Sequence, residues 1–252
     1  MISGIYEAIN GSLNEELQLS IISNNLANIN VPGYKKDRLS FHILMRDQLR
    51  QMNGEQAGAE VIQDQQLYRR FVSVQVDTSQ GTLKYTGNPL DLAISGRGFF
   101  KISTDYGIRY TRKGTFQVNG DSMLVTSDGG LVLGKNGPIN IPEGEISVDK
   151  TGQITVDGDA IDTLEVVVFD NPEYLQKEGG SLFRATADMM ENRPSETETS
   201  IEQGYVEEAN VKATAEMVRM LETVRAYESY QKIIRALHEI NSKAINDFGR
   251  LR

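Results

Sequence analysis

The sequence has no cysteine and no tryptophan, and only two of its 252 residues are histidine. Without cysteine there can be no disulfide, no thiolate metal site and no cysteine nucleophile. His42 and His238 supply too few imidazoles for the usual zinc sites or for a well-supported catalytic triad. Most familiar enzyme chemistries are therefore disfavoured, and we expect no catalytic residue, no cofactor and no metal site.

Positive charge is scarce too. Lys and Arg number 26 against 35 Asp and Glu, which gives a formal net charge of −9 at pH 7. Nucleic acids and anionic lipid surfaces are usually bound by clustered cations, so neither is an expected partner. The chain has no run of about 18 or more apolar residues, and it does not open with a basic stretch followed by an apolar one. We expect no membrane insertion and no cleaved signal peptide.

Glycine is concentrated in the middle of the chain. Fourteen of the 23 glycines lie between Thr78 and Thr163, whereas Gly249 is the only one after Tyr205. Short alternating runs in this region are separated by Gly-containing turns, a pattern typical of antiparallel strands. We therefore expect an all-β sandwich or open barrel over residues 78–203. Three aromatic residues are expected in its core: Phe99, Phe100 and Tyr110.

Both ends of the chain carry apolar residues at intervals of three and four. From Ile2 to Leu26 this spacing predicts an amphipathic helix that ends before Pro32 and Gly33. After Asn210 it predicts a second helix of about ten turns. The apolar seam of the second helix is expected to contain Met217, Leu221, Val224, Tyr227, Ile234 and Leu237. The predicted fold class is α+β, with long N- and C-terminal amphipathic helices that flank a central all-β domain.

The expected organisation has four parts. Residues 1–33 form the N-terminal helix and the turn after it, and residues 34–77 form an extended arm or linker that is too polar to make a core. Residues 78–203 form the β-rich domain. Residues 204–252 form the C-terminal helix, which pairs with the N-terminal helix.

The apolar seams of the two helices allow two interpretations. Burial of each Leu or Ile is worth roughly 1.5–3 kcal/mol, so these seams are not expected to stay in water. The helices could pair as a hairpin within an ordinary monomer. They could also pack between copies of the chain, and a head-to-tail contact whose rotation does not close would then build a tube.

Three motifs occur in a fixed order along the chain. The first is SNNLAN, formed by Ser23, Asn24, Asn25, Leu26, Ala27 and Asn28 and followed by Pro32, Gly33, Tyr34 and Lys35. The second is the central run TGNPLDLAISGRGFFKI, and the third is GYVEEANV before the last helix. These motifs resemble those of the rod and hook subunits, the axial proteins of the bacterial flagellum. The resemblance covers nearly the whole chain.

The resemblance implies a non-enzymatic structural subunit of the flagellar basal-body rod. Such a subunit is expected to leave the cell through the flagellar type III export apparatus and to lie in the periplasm. It would polymerise through its terminal helices, with other copies and with neighbouring rod proteins, into a hollow shaft that transmits torque. The residues from Ser23 to Asn28 and from Pro32 to Tyr34 are implied in this assembly.

Within the family, three features are similar to the subunit of the proximal rod. They are the modest length, the central motifs and the short segment between Phe41 and Val61; the distal rod and hook subunits are the alternatives. Asn24, Asn25 and Asn28 are expected to hydrogen-bond backbone groups at the turn after the first helix, or merely to cap that helix.

Two other classes of protein remain as alternatives. One is a soluble periplasmic module whose β domain binds a carbohydrate or peptide. The other is an enzyme that uses paired carboxylates such as Asp91 and Asp105, although nothing in their spacing favours it.

Overall fold

The computed structural model of the chain describes residues 2–44, 69–179, 181–186, 189–194 and 199–249. An N-terminal helix is followed by a β region and then by a C-terminal helix, so the fold is α+β, as expected. The β region contains strands throughout and one short 3-10 helix at Pro172–Tyr174 among the residues described.

The two helices are long. Helix α1 spans Ile2–Ala27 and helix α2 spans Ala213–Gly249, with 26 and 37 residues respectively. At 3.6 residues per turn, α2 has about ten turns. The helices pack against each other within the chain, and the Gln231 side-chain amide of α2 donates a hydrogen bond to Ser12 Oγ of α1 over 3.2 Å. Because the end of α1 and the start of α2 both adjoin the β region, the pair is antiparallel.

Close contact between the helices depends on Gly11. A Cβ atom placed on Gly11 would lie 2.4 Å from Cε1 of Tyr230, whereas one placed on Gly4 would meet nothing within 4 Å. We expect Gly11→Leu to force the helices apart and to lower the free energy of unfolding of the helical pair by about 1–3 kcal/mol, the usual cost of overpacking. Gly4→Leu, the matched control, should leave stability equal or higher, because glycine is a poor helix former. Circular dichroism during thermal unfolding measures the stability of both variants. Equal melting temperatures would contradict the expectation that Gly11 is needed for close packing of the helices.

A β-hairpin leads out of the first helix. Strands β1 (Asp37–Leu44) and β2 (Arg69–Val76) are antiparallel, and their register runs from Asp37 opposite Val76 to Leu44 opposite Arg69. The described part of segment 34–77 is therefore largely a paired hairpin. The rest of the predicted arm, residues 45–68, lies outside the described residues.

The remaining strands make up the β domain and the strand that leads to α2. Their bounds are β3 (Leu83–Tyr85), β4 (Leu92–Gly96), β5 (Phe99–Thr104), β6 (Gly107–Thr111), β7 (Phe116–Val118), β8 (Leu124–Thr126), β9 (Leu131–Gly134), β10 (Gly137–Pro138), β11 (Ile146–Val148), β12 (Gln153–Val156), β13 (Asp159–Thr163), β14 (Val166–Val167), β15 (Gln176–Lys177), β16 (Leu182–Arg184), β17 (Thr199–Gln203) and β18 (Tyr205–Glu207).

Antiparallel pairing organises these strands into one large sheet and several small ones. The large sheet has the order β15-β16-β6-β5-β9-β8-β7, with β10 beside β9 and β14 beside β5. Strands β11, β12 and β13 form a separate three-stranded sheet. Strands β17 and β18 pair with β4 and β3, so the end of the β region returns to its beginning.

The core of the β domain contains the aromatic residues expected there. Phe99, Phe100 and Tyr110 are all buried, and Phe100 packs edge-on against Phe116. Exposure varies along β7: Phe116 is 4% exposed, whereas Val118 is 37% exposed. Among the described strands, β7 is the last in the order of the large sheet. Side chains of an edge strand have a neighbouring strand on one side only, which leaves Val118 more exposed.

Candidate assembly site at the junction of the helices and the β domain

The turn after α1 is held by the side chain of Asn25. Its Nδ2 donates to the backbone oxygen of Asp37, and its Oδ1 accepts from the backbone N–H of Asp37, both over 2.9 Å. Asn25 is buried, so these two bonds satisfy an amide that would otherwise lack partners. The end of the helix is thereby fixed to the first residue of β1.

The other asparagines of the motif close the end of the helix. Asn28 Nδ2 donates to the backbone oxygen of Asn24 over 2.8 Å. The Tyr34 hydroxyl lies 2.7 Å from Asn24 Oδ1 and 3.0 Å from Asn25 Oδ1. Burial, with a contribution from Asp37, raises the pKa of Tyr34, so its hydroxyl keeps the proton that it donates. The expected bonds from asparagine side chains to the backbone are present at Asn25 and Asn28.

The remaining residues of the SNNLAN and Pro-Gly-Tyr sequence lie in different surroundings. Ser23 and Ala27 are exposed and Leu26 is half-buried. Pro32 lines a groove of about 430 Å³ beside the start of α2. Gly33 has a positive φ of 69°, and a Cβ there would lie 2.2 Å from the backbone N of Lys113, so only glycine fits.

A fourth asparagine ties the other end of the chain to the same place. Asn210 lies just before α2, and its Oδ1 accepts from the backbone N–H of Lys36 over 2.7 Å. Its Nδ2 donates to the backbone oxygen of Asp77 over 2.8 Å. The Gly33 N–H also donates to the backbone oxygen of Glu207 over 2.7 Å. Segments from both ends of the chain and from the hairpin therefore meet here.

Three charged side chains lie beneath these bonds. Lys35, Arg112 and Glu207 are buried, with Lys35 Nζ 2.6 Å from Glu207 Oε1 and Arg112 Nη1 3.2 Å from Glu207 Oε2. Glu207 Oε1 also accepts from the backbone N–H of Gly81 over 2.7 Å. We call Lys35, Arg112 and Glu207 the junction cluster.

Backbone groups complete the junction cluster. Lys35 Nζ donates to the Ser79 oxygen over 2.7 Å, and Arg112 Nη2 donates to the Gly96 oxygen over 2.7 Å. Burial lowers the pKa of Lys35 to about 8 and lowers that of Arg112, while Glu207 favours the charged form of each. These buried charges hold Lys35, Arg112 and Glu207 in a fixed arrangement. Removal of one charged side chain would leave the others buried without a counter-charge.

The side chain of Lys177 covers the junction from the β domain. Its Nζ lies 4.2 Å from the centre of the Tyr34 ring and 2.9 Å from a carboxylate oxygen of Asp37. The large sheet therefore contacts the turn after α1 through β15, in addition to the contact through Arg112.

The predicted seam of α2 divides between two faces. Tyr227, Ile234 and Leu237 are half-buried. Met217, Leu221 and Val224 are exposed by 52%, 61% and 36% respectively, and the neighbouring Val218 is exposed by 50%. These four residues, spaced at one, three and four positions, form a second apolar face, which we call the outer face of α2.

The sites that would support an enzyme are not assembled in the described part of the chain. Asp91 accepts hydrogen bonds from Thr86 Oγ1 over 2.7 Å and from Asn88 Nδ2 over 3.2 Å, so its carboxylate holds a loop. Asp105 is exposed in the turn between β5 and β6. Among the described residues no group of three or more His, Asp or Glu side chains could hold a metal ion. Neither helix, as far as the structure describes it, carries an apolar stretch sufficient to span a lipid bilayer.

Family models match three segments of the chain. Residues 5–35 match the model of the flagella basal body rod protein, residues 93–156 that of the flagellar hook protein FlgE/F/G D1 domain, and residues 202–247 that of the flagellar basal body rod FlgEFG protein C-terminal region. The flagellar basal-body rod protein FlgG of Bacillus subtilis (strain 168) is 33% identical, over 98% of this chain and 99% of its own length. The chain belongs to the flagellar basal-body rod protein family.

Other members of the family resemble the chain over its full length. The flagellar basal-body rod protein FlgF of Caulobacter vibrioides is 29% identical, with 100% of each chain covered. The flagellar hook-basal body complex protein FlhO of Bacillus subtilis is 26% identical, again with 100% of each covered. The family resemblance seen in the three motifs is confirmed.

The junction cluster joins the three segments of the chain that match the family models. Lys35 lies in the first matched segment, Arg112 in the second and Glu207 in the third. The sequence motifs included Lys35 and the segment around Glu207, but they gave no sign that Arg112 meets them. The partners lie 95 residues apart or more, and only the folded chain shows the pairing.

Proposed function

We propose that the chain is a structural subunit of the bacterial flagellar basal-body rod, and that it polymerises through its terminal helices into a hollow shaft that transmits torque. Its full-length similarity to proteins named as flagellar basal-body rod proteins carries this proposal. The subunit has no catalytic role in it. Its partners are other copies of itself and neighbouring rod proteins.

The outer face of α2 supports assembly through the helices. Met217, Val218, Leu221 and Val224 present apolar side chains to water while α1 covers the opposite side of the helix. Apolar faces of this kind mark contacts with other proteins. On helix α1, the apolar residues Tyr6 and Leu13 are exposed by 64% and 56%. In the proposed rod, these faces pack in coiled-coil fashion against helices of neighbouring subunits.

The residues of the junction would set the geometry of assembly. The side chains of Asn25 and Tyr34 and the backbone of Gly33 fix how the helices leave the β domain. A fixed angle between the helices and the β domain is what a repeating assembly needs, since an error in one subunit would be repeated along the shaft. In this proposal the SNNLAN turn acts on assembly by positioning the helices.

Export and location follow from the same proposal. The subunit passes the flagellar type III apparatus unfolded, and a chain without cysteine needs no disulfide to fold afterwards. It then becomes part of the rod in the periplasm. Its modest length and central motifs favour the proximal rod, with a distal position as the alternative.

Deletion and complementation test the proposed function. In a flagellated strain that lacks this gene, the full chain should restore swimming and should be recovered in purified hook–basal bodies. A variant without residues 213–249 should do neither. Electron microscopy of a tag at the exposed Tyr106, on a turn of the β domain, would place the subunit along the rod. If the full chain were recovered only outside purified basal bodies, the proposal would be contradicted.

A further inference from the structure

A cationic cleft lies on the β domain and shares no residue with the junction. It has a volume of about 650 Å³, and Lys135, Lys150 and Arg193 contribute three positive charges to its lining. Residues with hydroxyl groups, such as Thr163 and Ser200, also line the cleft. The cleft can therefore offer both charge and hydrogen bonds to an anionic partner.

The positive charges of the cleft are not neutralised by the described residues. None of Lys135, Lys150 and Arg193 has an ion-pair partner there. Glu165, the one carboxylate in the described lining, lies 3.5 Å from Lys101 Nζ. Asp149 is next to Lys150 in sequence, but its carboxylate accepts hydrogen bonds from within its own turn, including the N–H groups of Thr151 and Gln153.

The opposite end of the three-stranded sheet is acidic. Its four acidic side chains are exposed, and none has a cationic partner within the described residues: Glu143, Glu145, Asp157 and Asp159. Lys150 lies in the turn between β11 and β12, whereas Asp157 lies in the turn between β12 and β13. The strand that separates these turns, β12, has four residues, or about 13 Å at 3.3 Å per residue. The two charged ends are too far apart to pair within one chain.

We propose that the cationic cleft binds the acidic end of the three-stranded sheet of a second copy of this chain. The two surfaces differ, so the contact is head to tail and can continue from copy to copy without closing. It places three cations against four carboxylates. The inference rests on the proposed assembly and adds to it a contact between β domains that does not use the helices.

The absence of cysteine makes this contact easy to test by cross-linking. Thr151→Cys would place a thiol at the rim of the cleft and Ala160→Cys would place one at the acidic end, and both positions are exposed and uncharged. An oxidised mixture of these two full-length variants should give about tenfold more cross-linked dimer than Thr151→Cys mixed with Gln117→Cys, since electrostatic attraction raises encounter rates by roughly tenfold or more. Gln117 is exposed on β7 and serves as the matched control. High salt should remove the difference.

Exchange of the charges gives a second, independent measurement. Lys150→Glu with Arg193→Glu should lower the yield of the Thr151–Ala160 cross-link, and so should Glu143→Lys with Asp159→Lys. When the two charge-reversed chains are mixed, the yield should recover. Circular dichroism should show unchanged folding, because all four side chains are exposed.

The outcomes separate this inference from the proposed function. Normal assembly of the full chain without the cross-link would overturn the inference and leave the proposed function intact, whereas absence of both would overturn both. Residues 195–198, outside the described residues, contain Glu196 and Glu198 near the cleft in sequence. If charge reversal of the cleft and Glu196→Gln with Glu198→Gln each lower the melting temperature, contrary to the expectation above, the cleft is filled from within its own chain and the inference is wrong.

Discussion

Replacement of Glu207 by Gln is expected to lower the free energy of unfolding by about 3–5 kcal/mol, the usual cost of removing one partner from a buried ion pair. Glutamine keeps the shape of the side chain but leaves Lys35 and Arg112 buried without a counter-charge. Because the junction cluster joins both ends of the chain to the β domain, the loss should be seen in the whole cooperative transition. Urea unfolding of the purified chain, followed by circular dichroism, measures it.

The neighbouring residue supplies the control for this prediction. Glu208 is exposed and lies 3.8 Å from the exposed Lys84, so Glu208→Gln should change stability by no more than about 0.5 kcal/mol. In a chain that already carries Lys35→Met, Glu207→Gln should cost less than in the natural chain, because one of the uncompensated charges is gone. Equal losses from Glu207→Gln and Glu208→Gln would show that the junction cluster does not hold the fold together.

Replacement of Leu221 and Val224 by Asp is expected to abolish assembly and swimming while the β domain unfolds at an unchanged temperature. Both side chains belong to the outer face of α2, where Leu221 is 61% and Val224 is 36% exposed. If neighbouring subunits bury them, their loss removes roughly 3–6 kcal/mol per contact, or about 10²–10⁴ in the concentration needed to assemble. Sedimentation of the purified chain over a range of concentrations measures the change.

Two control variants test whether assembly depends on the apolar face itself, and not on an added charge or on any substitution in the helix. Leu221→Met keeps an apolar side chain and should assemble normally. Thr214→Asp adds a charge at another exposed position of α2 and should also assemble. A lower melting temperature of the Leu221→Asp chain would instead mean that Leu221 packs within the monomer.

Periodicity predicted the helices but not the direction in which each apolar residue points. In the sequence the seam from Met217 to Leu237 forms one stripe, because all its members recur at three or four residues. Only the register with α1 separates them, and that register depends on contacts such as that of Gly11 with Tyr230. The sequence therefore predicted two helices, while the division of α2 into a covered and an outer face required the structure.

The overall composition of segment 34–77 hides the hairpin, whereas the alternation within it indicates a strand. Segment 34–77 is polar overall, yet Leu39, Phe41 and Ile43 alternate with polar residues along β1. That period of two is the signal of a strand. A short strand gives only a few such residues, and charged neighbours hide them in any average over the segment.

The long-range contacts of the site cannot be predicted from its sequence motifs. The bonds of Asn25 and Tyr34 join residues 9 to 12 positions apart, and the motif pointed to them. Arg112 meets Glu207 across 95 residues, and Lys35 meets it across 172. No local pattern encodes such pairs, because they depend on how the whole β domain folds back to its start.

The position of the junction determines how a mechanical load would pass through the subunit. Asn210 holds Lys36 and Asp77 by direct hydrogen bonds, and Gly33 holds Glu207, so the two ends of the chain are clasped where they leave the β domain. A pull on the two termini would first separate the two packed helices and then load the clasp, and the strands between residues 83 and 203 would bear no tension until the clasp broke. The β domain is thus protected from tension by the clasp. The force that breaks the clasp sets the largest load that the β domain is spared.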